Sequence, residues 1–198
     1  MNYEAMKEEL QKRLKHSRYV HSLGVADTAV QLAGRFGVDK EQARIAGLLH
    51  DCAREYPTAR LPEEAARHGI SYGEVERTMP LLLHAYVGAK RAAELYGVHD
   101  TEIAQAIWRH TVGGEHMTKL DKIIYFADMI EPGRDYPEAE ELRSLSLSRT
   151  ADLDDLMFEG LSQSILFVLK TRRLIHPATI AARNEILLAR KEKEGLRP

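Results

Sequence analysis

Residues 47–55 read GLLHDCARE: an apolar run, then His50 and Asp51 side by side, then small and charged residues. Histidine is costly to bury unless its ring nitrogens find partners, so its place after Leu48 and Leu49 calls for an explanation. Three further stretches repeat the pattern, RYVHSLGVA (18–26), LLLHAYVGA (81–89) and IWRHTVGG (107–114), each with one histidine among apolar or small residues. The stretch at 47–55 belongs to a segment of helical period. Asp39 stands where it would cap that helix, Gln42 follows three residues later in capping-box position, and the helix is expected to run through 47–55 to the break at Pro57.

The same period extends along the chain. Met6, Leu10 and Leu14 form one stripe, and Val20, Leu23, Ala26, Val30 and Ala33 form another that Gly37 ends. Ser71 with Glu74 repeats the capping-box signature. Pro80 suits the first turn of a helix through His84 that stops at Gly97, and Asp100 opens the one carrying Trp108 and His110. Thr118 caps KLDKIIYFADMI (119–130), which Pro132 and Gly133 terminate. A looser segment, 132–141, leads to three more helices, one through Leu142, one over 156–170 and one from Pro177 through 182–190. No alternating strand pattern, repeat or low-complexity segment interrupts this, so the fold class is all-α, a helical bundle in a single domain over 1–198, with 191–198 as a charged tail that frays.

Helix bundles build metal sites in their cores from polar side chains on facing helices. No two of these histidines lie one helical turn apart, so any shared site has to be assembled from separate helices. Neighbours on a helix point about 100° apart, so an ion centred on His50 leaves Asp51 reaching sideways, where its second oxygen can bridge to another ion. A bridging carboxylate implies two cations. His21 and a later aspartate would complete one shell beside His50, and His84 and His110 would serve the other. Asp128 is the candidate aspartate because it follows an apolar run. Asp121, in the first turn after Thr118, suits a capping role at the positive end of the helix dipole.

On these stretches, with KIIYFADMIEPGRD (122–135) and HPATIAARN (176–184), the chain resembles the HD-domain metal-dependent phosphohydrolases, and among them the YqeK-type bacterial enzymes, over nearly its whole length. The resemblance implies an HD-domain helical fold, a two-metal centre that is often iron, and symmetric hydrolysis of diadenosine tetraphosphate to two ADP. Carried over, it makes His21, His50, Asp51, His84, His110 and Asp128 the metal ligands, with Asp51 also catalytic. The chain departs from the family pattern at two places: Arg54 where lysine is usual after His-Asp-x-Ala, and Tyr86 where proline is common.

Phosphoanhydride hydrolysis needs a nucleophile at neutral pH and neutralised phosphoryl oxygens, and a pair of cations a few ångströms apart provides both. Imidazole and carboxylate donors without thiolate suit Fe, Mn, Co, Zn or Mg, and the resemblance selects iron. The formal net charge of −2 argues against a general nucleic-acid or anionic-membrane binder, so polyphosphate recognition has to be local. The nearest cations are Arg18, Arg54, Arg109 and Arg134; Arg54 and Arg134 are the first choices for holding the polyphosphate, Arg54 doubling as a catalytic residue.

Other residues read as structural. Cys52, the single cysteine, has no evident base and reads as a small buried hydrophobe; with no partner for a disulfide, no secretory run in residues 1–12 and no membrane-length apolar stretch, the expected location is the cytoplasm. His16, His68 and His99 read as solvated, His176 as a cap before Pro177, and His116 as a loop residue. Trp108 and Tyr125 read as core, and KTRR (170–173) as a solvated face. An HD enzyme acting on another nucleotide (a nucleoside monophosphate, a dNTP or guanosine tetraphosphate) is the alternative activity, and a non-catalytic nucleotide sensor the alternative class. The oligomeric state stays open, a homodimer being one option.

Overall fold

The computed structural model describes residues 1–193 and 195. Among them it contains no strand, and the order is α1 (Tyr3–Arg13), α2 (His16–Phe36), α3 (Lys40–Leu49), α4 (Leu61–Arg67), α5 (Glu74–Thr78), α6 (Leu83–Tyr96), α7 (Thr101–Arg109), α8 (Lys119–Ile130), α9 (Pro137–Leu147), α10 (Leu153–Lys170) and α11 (Pro177–Lys193). Short 3₁₀ turns at Cys52–Glu55, Thr58–Arg60 and Pro80–Leu82 join them. The all-α expectation holds. Of the tail, residues 191–193 continue α11; the expectation for Glu194 and residues 196–198 lies outside the described residues. Among the described residues no helix is long and apolar enough to cross a membrane.

Helix α2 is the spine. It packs on α3 and α8, while α6 and α7 pair with each other and α7 closes against α8. The main core gathers Val25, Leu48, Leu49, Ile107, Ile123 and Phe126, and a smaller one under α4 gathers Leu61, Ala65, Leu83 and Val87. The stripe expected on α2 is corrected at one point: Val20 is 51% exposed, while Ala26 and Ala33 are buried as expected and the buried face also carries Tyr19, His21, Ser22, Val25, Ala29 and Leu32. With helices on two sides of it, α2 buries a face wider than the expected stripe, and Val20 falls outside it. Gly37, at φ +68°, ends α2 in the left-handed conformation.

Asp39 accepts from the Glu41 and Gln42 N–H groups at 2.8 Å, but Gln42 does not return the bond. Its amide donates instead to Asp100 at 2.8 Å, tying the start of α3 to the start of α7. The helix expected to reach Pro57 stops at Leu49. Asp51 sits at φ −103°, ψ 15°, outside the α region, and the chain continues as a 3₁₀ turn. That break swings Asp51 inward, where a continuous helix would have turned it away from the direction of His50.

The cap expected at Ser71 and Glu74 falls two residues later, where the Glu76 carboxylate accepts from the Gly73 N–H at 3.1 Å. Glu76 is buried and does more than cap. It accepts from the Tyr86 hydroxyl at 3.0 Å and from His176 Nε2–H at 3.1 Å, joining α5, α6 and the start of α11. His176 Nδ1 accepts from the Ala178 N–H at 3.1 Å, so it caps α11 as expected, and the Tyr86 ring stacks on Trp108 with centroids 4.4 Å apart. Burial alone would raise the Glu76 pKa, but its own backbone N–H, His176 and Tyr86 together hold it below the ordinary value.

A group with a depressed native pKa contributes stability that is complete above its unfolded pKa and is lost as pH falls through the native one. Glu76→Gln should therefore lower stability at pH 7 by about 1.5–3 kcal/mol, the range for hydrogen bonds to a charged group, and the gap to wild type should close as pH falls. Thermal melts of both chains across the acid range measure this. A gap that stays constant with pH would show that the charge of Glu76 contributes nothing.

The remaining histidines and Cys52 follow their structural readings with one correction. His68, expected to be solvated, has a side chain 10% exposed and pairs with Glu94 at 3.1 Å. His116 lies in the surface loop before α8 and pairs with Glu185 at 2.8 Å. Cys52 is buried, and burial pushes its thiol up to about 12, which leaves it inert. Tyr125 is core, its hydroxyl donating to Ser164 at 2.8 Å.

Candidate metal centre

Four imidazoles from four elements meet in the interior. His21 comes from the second turn of α2, His50 from the end of α3, His84 from the first turn of α6 and His110 from the end of α7. Their rings form a chain of edge-to-face neighbours, His21 to His50 to His110 to His84, with centroids 5.1, 4.9 and 5.0 Å apart. All four are buried, His50 completely.

Asp51 lies between the two halves of this chain. Its Oδ2 is 3.6 Å from His50 Nε2 and 3.8 Å from His21 Nε2, while its Oδ1 is 3.1 Å from His84 Nε2 and 3.8 Å from His110 Nε2. Asp128, from the last turn of α8, places Oδ1 at 3.0 Å from His21 Nε2 and 3.8 Å from His50 Nε2. The structure thus brings together His21, His50, Asp51, His84, His110 and Asp128. Asp121, the competitor, caps α8 as expected, its carboxylate accepting from the Thr118 N–H at 3.0 Å.

The tautomers follow from the outer nitrogens. His50, His84 and His110 donate Nδ1–H to the carbonyls of Gly47, Leu81 and Ile107, each three residues back, and His21 donates to the Glu131 carboxylate at 3.0 Å. Nε2 of His50, His84 and His110 is then an acceptor, while His21 Nε2 faces the Asp128 carboxylate at 3.0 Å just as its Nδ1 faces Glu131. Yet His21 and His50 bring these atoms within 3.2 Å of each other, His84 and His110 within 3.1 Å, and carboxylate oxygens crowd both pairs. Lone pairs facing lone pairs are relieved by a cation between them. The donors fall into three overlapping groups, each with its ligand atoms within 4.8 Å of one another. A divalent ion fits the cluster, and an all-N/O donor set is the chemistry such ions take.

The electrostatics agree except at His21, where the Asp128 and Glu131 carboxylates outweigh burial and raise the imidazole pKa. Burial opposes charging any of these groups, but around Asp51 the histidines His50, His84 and His110 outweigh it and hold the carboxyl well below its usual range. Asp128 is lowered in the same way by His21, His50 and Arg134. Burial lowers His50, and burial with His50 and His84 beside it drives His110 down to about 3, keeping that imidazole neutral and free to coordinate.

Three of the four expected arginines stand at this cluster. Arg18 donates to Asp51 Oδ2 at 2.8 Å, and Arg134 donates to the Asp128 carboxylate and, at 2.8 Å, to its main-chain carbonyl. Arg54 is half-buried, with Asp51, Asp128, Arg18 and Arg134 as its charged neighbours; burial lowers its pKa, and among the described residues its guanidinium makes no hydrogen bond or ion pair. Arg109 is the correction. Its guanidinium points away from His110, donating to Asp121 at 3.0 Å and to the His116 carbonyl at 3.1 Å.

Two residues escaped the sequence reading. The Thr111 hydroxyl lies 3.1 Å from His110 Nε2 and 3.5 Å from His84 Nε2, although it reads as an ordinary loop residue. Glu131 stands behind His21, in a position before Pro132 where a glutamate reads as surface charge; the only signal was its place in the IEPGR run.

The HD domain model matches residues 18–133, a span that holds all six cluster residues. The chain belongs to the HD domain family. This HD chain is 35% identical over 184 residues to the "Bis(5'-nucleosyl)-tetraphosphatase, symmetrical" of Bacillus subtilis (strain 168), covering 93% of the chain and 97% of the relative. It is likewise 35% identical over 178 residues to the protein of the same name from Halalkalibacterium halodurans, with 90% and 93% covered. In three dimensions it is similar to a protein of Clostridium acetobutylicum solved at 1.50 Å and described as a predicted HD superfamily hydrolase involved in NAD metabolism, with a TM-score of 0.89, 38% identity and 96% and 98% of the two chains covered.

Proposed function

We propose that this chain, acting as one unit over 1–198, hydrolyses diadenosine tetraphosphate symmetrically to two ADP on two divalent ions, with iron as the resident metal. The observation that carries the reading is the division of the Asp51 carboxylate between two histidine pairs, Oδ2 toward His21 and His50, Oδ1 toward His84 and His110. Near-full-length relatives named symmetrical tetraphosphatases supply the substrate.

In this reading His21, His50, Asp128 and Asp51 would hold one ion, and His84, His110 and Asp51 the other. When bound, the ions supply Lewis acidity, which eases deprotonation of water and neutralises charge on phosphoryl oxygens. The chain does the rest. Arg54, whose guanidinium has no partner among the described residues, offers its planar fork of donors to the polyphosphate, and Arg18 and Arg134 present the N–H groups that Asp51 and Asp128 leave unused. The Thr111 hydroxyl is placed to donate beside the His84 and His110 pair.

The test is product analysis with anaerobically Fe(II)-loaded protein. Diadenosine tetraphosphate should yield ADP alone, and Arg54→Ala should lower kcat/KM by about 10–100-fold, the worth of a charge-assisted hydrogen bond. ATP plus AMP as products would overturn symmetric cleavage, faster turnover of another nucleotide would favour the alternative substrate, and a folded chain that takes up no metal would favour the sensor.

A further inference from the structure

We infer that Glu131 is a positioning residue that makes the two ion positions unequal, so that the position at His21, His50 and Asp128 fills first and the one at His84 and His110 is the exchangeable one. The inference rests on the two-ion reading above.

Its basis is an asymmetry in the outer contacts. Three of the histidines donate Nδ1–H to a neutral carbonyl, whereas His21 alone donates to a carboxylate, Glu131 Oε1 at 3.0 Å. A carboxylate behind an imidazole fixes the ring and raises the basicity of the opposite nitrogen more than a carbonyl does. This matters because the first position would otherwise lose its advantage. Arg134 already draws charge from Asp128, and Arg18 from Asp51 Oδ2, while Asp51 Oδ1 on the other side has no arginine. Glu131 returns electron density to the half that the arginines deplete through His21 at 3.0 Å, a closer contact than the 3.9 Å at which Arg134 Nε stands from the same Oε1.

The carboxylate is also held rigidly. Glu131 is 4% exposed and accepts from the Gly133 N–H at 2.6 Å. A Cβ on Gly24 would stand 2.6 Å from Glu131 Oε2, and one on Gly133 would stand 3.0 Å from both oxygens, so the carboxylate fills a slot that two glycines leave open. Arg143 of α9 clamps the backbone beneath it, donating to the carbonyls of Ile130 at 2.8 Å, Glu131 at 2.9 Å and Arg134. Such support is what a residue that orients a ligand requires, and a surface glutamate has no use for it.

Metal-free chain titrated with Co(II), followed by its visible d–d bands and by calorimetry, tests this. Wild type should bind two ions in steps separated by at least tenfold; Glu131→Gln should weaken the tighter step by about 10–100-fold and leave the weaker one in place. His84→Ala should abolish the weaker step alone and His21→Ala the tighter one. Gly24→Ala, which displaces Glu131 without touching its charge, should reproduce Glu131→Gln. In Zn(II)-loaded protein the ¹⁵N imidazole resonances should show His21 protonated at Nδ1 in wild type and shifted in Glu131→Gln, with His84 and His110 unmoved. Equal steps in wild type, or a Glu131→Gln variant that shifts neither step or both alike, would overturn the inference while leaving the two-ion reading intact. Uptake of one ion or none by wild type would overturn that reading, and this inference with it.

Discussion

Asp51→Asn is expected to lower kcat/KM by roughly 10³-fold or more, about 4 kcal/mol of transition-state stabilisation, and to cut bound metal below two ions per chain. The side chain is buried, and its two oxygens face different histidine pairs. An amide keeps the shape but replaces one oxygen by an NH₂ group, which cannot donate a lone pair to an ion, and it removes the charge shared between the halves. With the NH₂ group toward His84 and His110 that pair would have no carboxylate oxygen, whereas toward His21 and His50 the Asp128 oxygen would remain. Arg18, which donates to Asp51 Oδ2 at 2.8 Å, would also lose its charged partner. Metal analysis of purified protein beside steady-state kinetics checks both parts, with circular dichroism to establish that the helices remain. An Asp51→Asn chain that retained two ions and kept kcat/KM within tenfold of wild type would refute the central place given to this carboxylate.

Gly47→Ala should be the most damaging single-methyl change in the scaffold around the site. A Cβ there would meet the backbone of α2, at 2.8 Å from Ala26 Cα, 3.0 Å from its nitrogen and 3.1 Å from the Val25 carbonyl. Neither partner is a flexible side-chain end, so α2 and α3 have to part. Overpacking of this kind costs about 1–3 kcal/mol, which for a chain of this size lowers Tm by roughly 3–10 °C. It should also weaken metal uptake, because His21 rides on α2 and His50 ends α3. Calorimetric melts with and without metal separate the two effects. An unchanged melt would mean that the helices can relax without disturbing the core.

How far the sequence carried these conclusions depends on whether a feature is local. Helix starts at Asp100 and Thr118 and the stop at Gly37 were legible because capping is decided within a few residues. The six residues of the cluster stood out because a buried polar side chain in an apolar run contradicts its neighbours. What was not legible depended on partners distant in sequence. Val20 is as apolar as the residues around it, and only the placement of α3 and α8 turns it outward. Gln42 carries a capping signature that Asp100 outcompetes across the fold. Arg109 sits beside a cluster histidine in sequence, yet consecutive helical residues diverge, and Asp121 takes it the other way. Glu131 was missed for the converse reason, since no local pattern marks a glutamate that is buried behind a histidine 110 positions earlier.

The three histidines whose rings are steered by carbonyls three residues back share a further property. A main-chain oxygen is present whatever amino acid occupies the position, so Gly47, Leu81 and Ile107 can be exchanged without deleting the acceptor. The orientation of His84 and His110 is therefore insulated from genetic drift at Leu81 and Ile107, while Gly47, which keeps the acceptor for His50, is held by the close approach of α2. His21 has no such insurance, and its aim hangs on one replaceable side chain.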